Sequence, residues 1–304
     1  MPRVLFLTHP REDYLQDQVL YGLRQILGAD CVDWPRKDVL YSDCPRPKES
    51  LYGRGFTLWK QLPEIAVDRP ASMETLELDR FDAVIFGSLV RQKGLLRDLR
   101  SQLRSRETPP IVLLDGRDKE RLYWPALRRG HYFKRERTAF TRWLTHPISF
   151  SIPGHRVARR VPPKNALFAK HVQCEAAYEH PWVREHCLSS YAFEDEEAYR
   201  ADLESAYFGI TMRKGGFECQ RHYEIAAAGA IPCFYQLESK SAHGAPFGLR
   251  DGENAIAFRD ARELEAKTRK ALESGTQQPM AERALDWARE HSCEAVAGRL
   301  LETL

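Results

Sequence analysis

The chain has no apolar run long enough to span a bilayer, which sets aside helical channels and transporters. Its opening residues, Met1 to Pro10, hold too short an apolar core for a signal peptide and read instead as a first β-strand. Cysteine is sparse and odd in number: seven, at irregular spacing, with no secretory signal. That combination argues against a disulfide framework and for free thiols in a reducing compartment, so the chain is expected in the cytoplasm. There is no G-x-S-x-G elbow, no Walker A loop and no H-E-x-x-H helix, which removes the hydrolase-elbow, P-loop and zincin chemistries. No internal repeat or low-complexity tract is present.

What is there is the composition of a globular α/β protein. The 304 residues suffice for two domains of ordinary size. Net charge is only +3, but from Arg117 to Lys164 the chain carries 13 Lys/Arg against 3 Asp/Glu. A stretch of that kind serves an anionic lipid surface, a nucleic acid or a phosphorylated acceptor, or is simply a solvated basic face. His171, Cys174, His180, His186 and Cys187 fit no zinc-ligand spacing, so no metal site is assigned.

The most informative stretch runs from Tyr207 to Tyr235. Phe208 to Met212 suits a buried strand, Gly215-Gly216 a turn, Phe217 to about Ala228 a helix, and Ile231 to Tyr235 the next strand. Gly229 stands where a helix-terminating glycine belongs. A glycine pair before a helix lets backbone N–H groups approach an anion, and the helix N-terminus adds unsatisfied donors. Arg213 and Lys214 bring full charge to the same end, which suits a diphosphate. Arg221 and Glu224 share a helix face, either as a surface ion pair or with the carboxylate free to accept from two ribose hydroxyls.

The run from Arg221 to Phe234 (RHYEIAAAGAIPCF), then DGENAIAF from Asp251 to Phe258, then the charged helix from Asp260 to Ser274, resembles the donor half of the GT-B glycosyltransferases. The resemblance covers roughly Tyr207 to Ser274 and is architectural elsewhere. It implies two Rossmann-like, doubly wound α/β domains, an acceptor domain over 1–160 and a nucleotide-sugar domain over 161–304, with a C-terminal helical tail crossing back to the first domain. It implies a donor site of Arg213, Lys214, Gly215, Gly216, Arg221, Tyr223, Glu224 and Asn254, with no cofactor beyond the nucleotide sugar and no essential metal. There is one departure. Many retaining members carry a second glutamate eight positions before the first, and Gly216 stands there in this chain, with Glu218 only six away.

The N-terminal half reads as alternating strands and helices: strand from Arg3 to Thr8, helix from Asp13 to Leu27, strands at Cys31–Trp34, Phe81–Phe86 and Pro110–Asp115. Ligands collect at the C-terminal ends of such strands, so His9, Ser88, Asp115 and Arg117 are expected on one rim. His9, then Asp115, then Asp13 are the candidates for a base that takes the acceptor proton. Pro35 to Thr57 reads as an irregular insertion, Trp59 to Ile65 and Leu95 to Leu103 as short helices, Tyr123 to Thr145 as partly helical, and Ile148 to Pro163 as a strand and linker. The activity expected is glycosyl transfer to a hydroxyl on an anionic or membrane-associated glycan or lipid, with the chain peripheral to a membrane surface. The alternatives are a nucleotide-sugar epimerase of the same fold, a non-catalytic nucleotide-sugar or glycan-binding module, and a nucleic-acid-binding protein.

Overall fold

The computed structural model describes residues 1–99, 102–104, 109–171, 174–189 and 193–304. Two parallel sheets organise it. The first takes β1 (Val4–Leu7), β2 (Cys31–Trp34), β3 (Ala83–Phe86), β4 (Ile111–Asp115), β5 (His131–Lys134) and β6 (His146–Pro147) in the order β2-β1-β3-β4-β5-β6. The second takes β7 (Ala166–Phe168), β8 (Ala206–Thr211), β9 (Ile231–Tyr235) and β10 (Ile256–Phe258) in the order β10-β9-β8-β7. The strands are apolar on both faces because both are covered: Val4 and Phe6 pack into one core while Leu5 and Leu7 pack into another.

Helices α1 (Tyr14–Leu27) and α2 (Lys93–Asp98) belong to the first half. The second half carries α3 (Glu175–Tyr178), α4 (Pro181–His186), α5 (Glu196–Ser205), α6 (Gln220–Ala227), α7 (Ala261–Glu273), α8 (Gln277–Glu290) and α9 (Cys293–Leu301). Their ends obey local chemistry. Asp13, Asp195, Asp260 and Ser292 each accept a hydrogen bond from the first turn of the helix they precede. Gly229 closes α6 at φ +68°, a conformation that an L side chain rarely adopts.

Five expectations change in whole or in part. Trp59–Ile65 is not helical: Thr57 and Lys60 sit at positive φ and Leu62 donates to the Leu40 carbonyl. Tyr123–Thr145 is helical only in the 3-10 turns Trp124–Ala126 and Thr141–Trp143, and between them lies a strand not foreseen, β5, recruited by the open edge of β4. Ile148–Pro163 runs without a strand and meets the tail at the Ile152–Ser292 bridge and in hydrogen bonds around it. The helix expected over Leu95–Leu103 is α2, ending at Asp98, and residues 100 and 101 lie outside the described residues. The Arg117–Lys164 stretch is not one basic face either, because Lys134 and Arg135 are buried against carboxylates.

The tail does cross back. α9 lies on α1, Ile152 donates to the His291 carbonyl and accepts from the Cys293 N–H, and Glu294 accepts from the Gly154 N–H. One apolar core therefore runs from Val4 and Phe6 through Tyr223 and Phe234 to Trp287 and Val296, joining both halves. The α1–α9 crossing is close enough that a Cβ on Gly22 would sit 2.1 Å from the Cys293 carbonyl oxygen. Gly22→Ala should therefore cost about 1–3 kcal/mol in urea unfolding. Gly94→Ala, in α2 where a Cβ would meet nothing within 4 Å, should instead gain about 0.5–1 kcal/mol.

Candidate active site

The strand order of the first sheet reverses between β1 and β3, and a crevice opens outside the carboxyl ends of strands at such a point. Asp13 stands there. Its Oδ2 accepts from Ser88 Oγ at 2.9 Å and from Arg91 Nη1 at 3.1 Å, and its Oδ1 caps α1 through the Gln16 N–H. The crevice widens into a cleft of about 560 Å³ between the two halves, and Asp13, Tyr14, Tyr52, Phe56 and Trp59 line its first side. Lys214, Glu218, Cys219 and Gln220 line the second.

His9 and Asp115 lie on the same rim but do not line this cleft. His9 Nδ1 accepts from the Arg11 N–H at 3.3 Å, so the neutral ring carries its proton on Nε2 and has no second lone pair to offer. Burial, with the Arg91 and Lys37 charges, holds its pKa below the ordinary histidine value. Asp115 is fully committed: Arg117 Nη2 at 2.7 Å, Tyr132 OH at 2.5 Å and Lys134 Nζ at 3.4 Å converge on it. Burial raises its pKa, but these partners outweigh burial and hold it below the usual carboxylate range. It is a locked carboxylate, poorly suited to take a proton.

The second side of the cleft differs from the sequence expectation in one respect that matters. α6 begins at Gln220, three residues later than expected, with Cys219 as its N-cap. The glycine pair is therefore not the first turn of the helix. It is pressed against the first half instead: a Cβ on Gly216 would meet Glu136 Oε1 at 2.2 Å, and one on Gly215 would meet Asp118 Oδ2 at 2.5 Å. Glu136 Oε1 accepts from the Phe217 N–H at 2.9 Å. A carboxylate of the chain itself thus occupies a backbone donor that the sequence reading reserved for a diphosphate.

Arg135 and Glu218 explain why the two halves meet here. Arg135 Nε lies 3.0 Å from Glu218 Oε2 and Nη2 lies 2.7 Å from Asp118 Oδ1, while the guanidinium rests 3.8 Å over the Phe150 ring. Glu218 also accepts from the Phe150 N–H at 2.8 Å and from the Tyr223 hydroxyl. Tyr223 itself is buried, stacked on Trp287 at 4.8 Å, and takes no place in the cleft.

Glu224 accepts from Thr57 Oγ1 and from Tyr199 OH, both at 2.8 Å. Two hydroxyls on one carboxylate is the donor chemistry of a ribose diol, here supplied by the chain. Thr57 comes from the irregular insertion, which Glu196 Oε1 also holds through the Thr57 N–H. Burial raises the pKa of Glu224, and the two hydroxyls act against it. Arg221 is 9% exposed, and its charge bears on Cys219, Lys214 and Glu224. Arg213 is exposed with its guanidinium 5.3 Å over the Phe217 ring. Asn254 is used up in a turn: Oδ1 accepts from the Arg250 N–H and Nδ2 donates to the Gly248 carbonyl.

The reading from sequence thus missed Glu218, Cys219, Glu136 and Asp118. Glu218 and Cys219 stand just after the glycine pair and Glu136 beside Arg135, but Asp118 is near neither in sequence, and the roles of all four depend on the other half of the molecule. Among the described residues, no group of three or more His, Cys, Asp or Glu side chains is arranged to hold a metal ion.

Burial raises the Glu218 pKa to about 6, with the Arg135 charge and the Tyr223 hydrogen bond pulling against it. A carboxyl raised in the folded state contributes stability below its unfolded value that is lost as pH rises through 6. The stability of the wild-type chain relative to Glu218→Gln should therefore increase by about 2 kcal/mol between pH 7.5 and 4.5 in urea titrations. A pH-independent difference would show that Glu218 keeps an ordinary carboxyl pKa.

No protein-family model matches the chain, and no curated protein sequence does. Solved structures do match over nearly the whole length. Anabaena HepE in complex with UDP is 10% identical, with a TM-score of 0.59 over 99% of both chains. A glycosyltransferase from Rickettsia africae is 8% identical, with a TM-score of 0.58 over 99% of this chain and 97% of that one. An α-glucosyltransferase in complex with UDP and a 13-mer DNA is 10% identical, with a TM-score of 0.53 over 99% and 98%. The chain has the GT-B fold, with two Rossmann-like domains and a helical tail, which the resemblance in its donor half implied.

Proposed function

We propose that the interdomain cleft transfers a glycosyl group from a nucleoside diphosphate sugar to an acceptor hydroxyl. The observation that carries this reading is the pairing of opposite chemistries on one cleft. Asp13 stands at the switch point of the first sheet, and across from it are Lys214 and the start of α6, whose first turn has no side-chain cap. Asp13 is the base that takes the acceptor proton, its carboxylate aimed by Ser88 and Arg91. Lys214, with Arg213 and Arg221, neutralises the leaving diphosphate as the glycosidic bond breaks, so no metal is required for that charge. Glu224 receives the ribose, with Thr57 and Tyr199 giving way to its hydroxyls. UDP is the nucleotide proposed, since HepE and the α-glucosyltransferase of the same fold are described with it.

Binding of a diphosphate at the Gly215-Gly216 turn must displace the Glu136 carboxylate from the Phe217 N–H. Donor entry is thereby coupled to a shift between the domains, and domain closure of this kind excludes water from the reacting centre. Asp13→Asn should lower turnover by roughly a hundred-fold or more with UDP affinity unchanged. Glu224→Ala should weaken UDP binding ten-fold or more, equivalent to about 1.5–3 kcal/mol. Calorimetric titration of UDP into both folded variants checks each. Wild-type affinity in Glu224→Ala would remove the ribose assignment, and wild-type turnover in Asp13→Asn would remove the base.

The acceptor is proposed to be a glycan or glycolipid. Tyr14, Tyr52, Phe56 and Trp59 give the acceptor side of the cleft aromatic faces on which sugar rings stack. A lipid-linked acceptor is favoured by the turn after β5, where Phe140, Trp143 and Leu144 are 65%, 76% and 40% exposed beside Arg142. Apolar and aromatic tips with a cation are the composition of a contact at a lipid interface on a cytoplasmic membrane face. Phe140→Ser with Trp143→Ser should reduce co-sedimentation with phosphatidylglycerol vesicles several-fold. Equal sedimentation of variant and wild type would discard this contact.

A further inference from the structure

The chain has seven cysteines, and six of them are buried. Cys219 is the exception. It is partly exposed, lines the interdomain cleft and forms the N-cap of α6. Directly behind it is His222, one turn along the helix and fully buried. His222 Nε2 lies 2.9 Å from the Phe217 carbonyl oxygen. A carbonyl only accepts, so Nε2 carries a proton and Nδ1 holds the ring's lone pair. That lone pair faces Cys219 Sγ at 3.6 Å. Thr211 Oγ1, at the end of β8, sits 2.9 Å from Nδ1 and 3.8 Å from Sγ and fixes the pair from the sheet side.

We propose that Cys219 is a nucleophilic thiol, activated by His222, at which electrophiles and peroxides entering the cleft form a covalent bond, and that this bond obstructs the wall of the cleft assigned to the diphosphate. The second half of the proposal rests on the donor-site reading given above, and the first half does not. Proton transfer from Sγ to Nδ1 produces a thiolate and an imidazolium, with the thiolate at the N-terminus of an eight-residue helix.

The surrounding charges favour that state. Lys214 from the turn and Arg221 from α6 are both positive and close enough to act on the sulfur. Glu218, the preceding residue, acts on His222 and favours the imidazolium. From the first domain, Asp118 and Arg135 line the same cleft and are paired with each other at 2.7 Å, so they add little net field. Burial pushes the thiol up, but the His222 charge and hydrogen bond, the Arg221 charge and the Thr211 hydroxyl outweigh it and bring Cys219 down to about 7. Burial pushes four of the other thiols, Cys31, Cys187, Cys233 and Cys293, well above the ordinary range.

With a peroxide, the thiolate sulfur attacks one oxygen, the O–O bond breaks, and the sulfur is oxidised by two electrons to a sulfenic acid. The departing hydroxide takes the imidazolium proton and leaves as water. With an alkyl halide such as iodoacetamide, sulfur forms a bond to carbon and iodide leaves.

The test uses iodoacetamide on the folded chain over a range of pH, with the labelled cysteine identified by peptide mass. At pH 7 Cys219 should react at least about ten-fold faster than any other cysteine, with a rate midpoint near neutrality. A midpoint in the ordinary range of free thiols, or labelling no faster than the buried six, overturns the assignment in the wild-type chain alone. His222→Gln keeps an amide nitrogen for the Phe217 carbonyl but removes Nδ1, and should slow labelling at pH 7 by about ten-fold. An unchanged rate in that variant removes His222 as the activator. UDP affinity is measured separately on carbamidomethylated and untreated chain. Loss of binding on modification supports the obstructing role, and retained binding overturns it. An untreated chain that binds no nucleotide refutes the donor-site reading, whereas the thiol assignment is decided by the rates.

Discussion

The ion pair of Arg135 with Glu218 is the constraint on which the rest of the site depends. Both side chains are almost fully withdrawn from water, and they come from different domains. Burying two charges is expensive, and the cost is offset only when geometry and additional hydrogen bonds satisfy both partners. Here Asp118 and the Phe150 ring meet the guanidinium, while the Phe150 N–H and the Tyr223 hydroxyl donate to Glu218. Because these contacts form only when the domains are in this register, the pair fixes how the Gly215-Gly216 turn meets the first domain.

From that register follows the pairing of the groups around the glycine turn. The turn brings the Phe217 N–H against Glu136, and Glu224 is covered by Thr57 and Tyr199. The Phe217 N–H and Glu224, proposed to meet the phosphate and the ribose, are already paired, with a carboxylate in place of a phosphate and hydroxyls in place of a ribose. Buried polar groups left unpaired are costly, and these internal partners satisfy groups that burial would otherwise leave unpaired. Exchange of these partners for those of a ligand is then close to neutral in hydrogen bonds, and the balance is set by the diphosphate charge against Lys214, Arg213 and Arg221. The continuous core through Phe6, Tyr223 and Trp287 joins the two domains, so a shift between them must repack side chains shared by both.

The units readable in advance were those whose cause is local. β1 with α1, β3, β4, and the run β8-α6-β9 carry their own hydrophobic period, their own caps at Asp13 and Asp260, and their own stop at Gly229. Asp13 was legible as a third candidate for the base, and only the structure shows it capping α1 at the cleft. The elements that escaped were recruited by neighbours. β5 exists because β4 offers an edge, and Trp59–Ile65 is held as a turn by the Leu40 carbonyl. The start of α6 was delayed to Gln220 because the Phe217 N–H is held by a residue 81 positions away.

By itself the sequence determined alternating α/β elements in both halves and a charged glycine turn before a helix, and the family resemblance implied a tail that returns to the first domain. The elements and the turn follow from periodicity, glycine conformation and capping, which act within a few residues. Only the tertiary structure decided which charges remain available. Lys134 and Arg135 look like two members of a basic face and are instead buried against Asp115 and Glu218, while Asp115 is locked and Asp13 opens to the cleft. The physical reason is that the availability of a charge is a property of its partners and its solvent, and both are assembled from residues far apart in the chain.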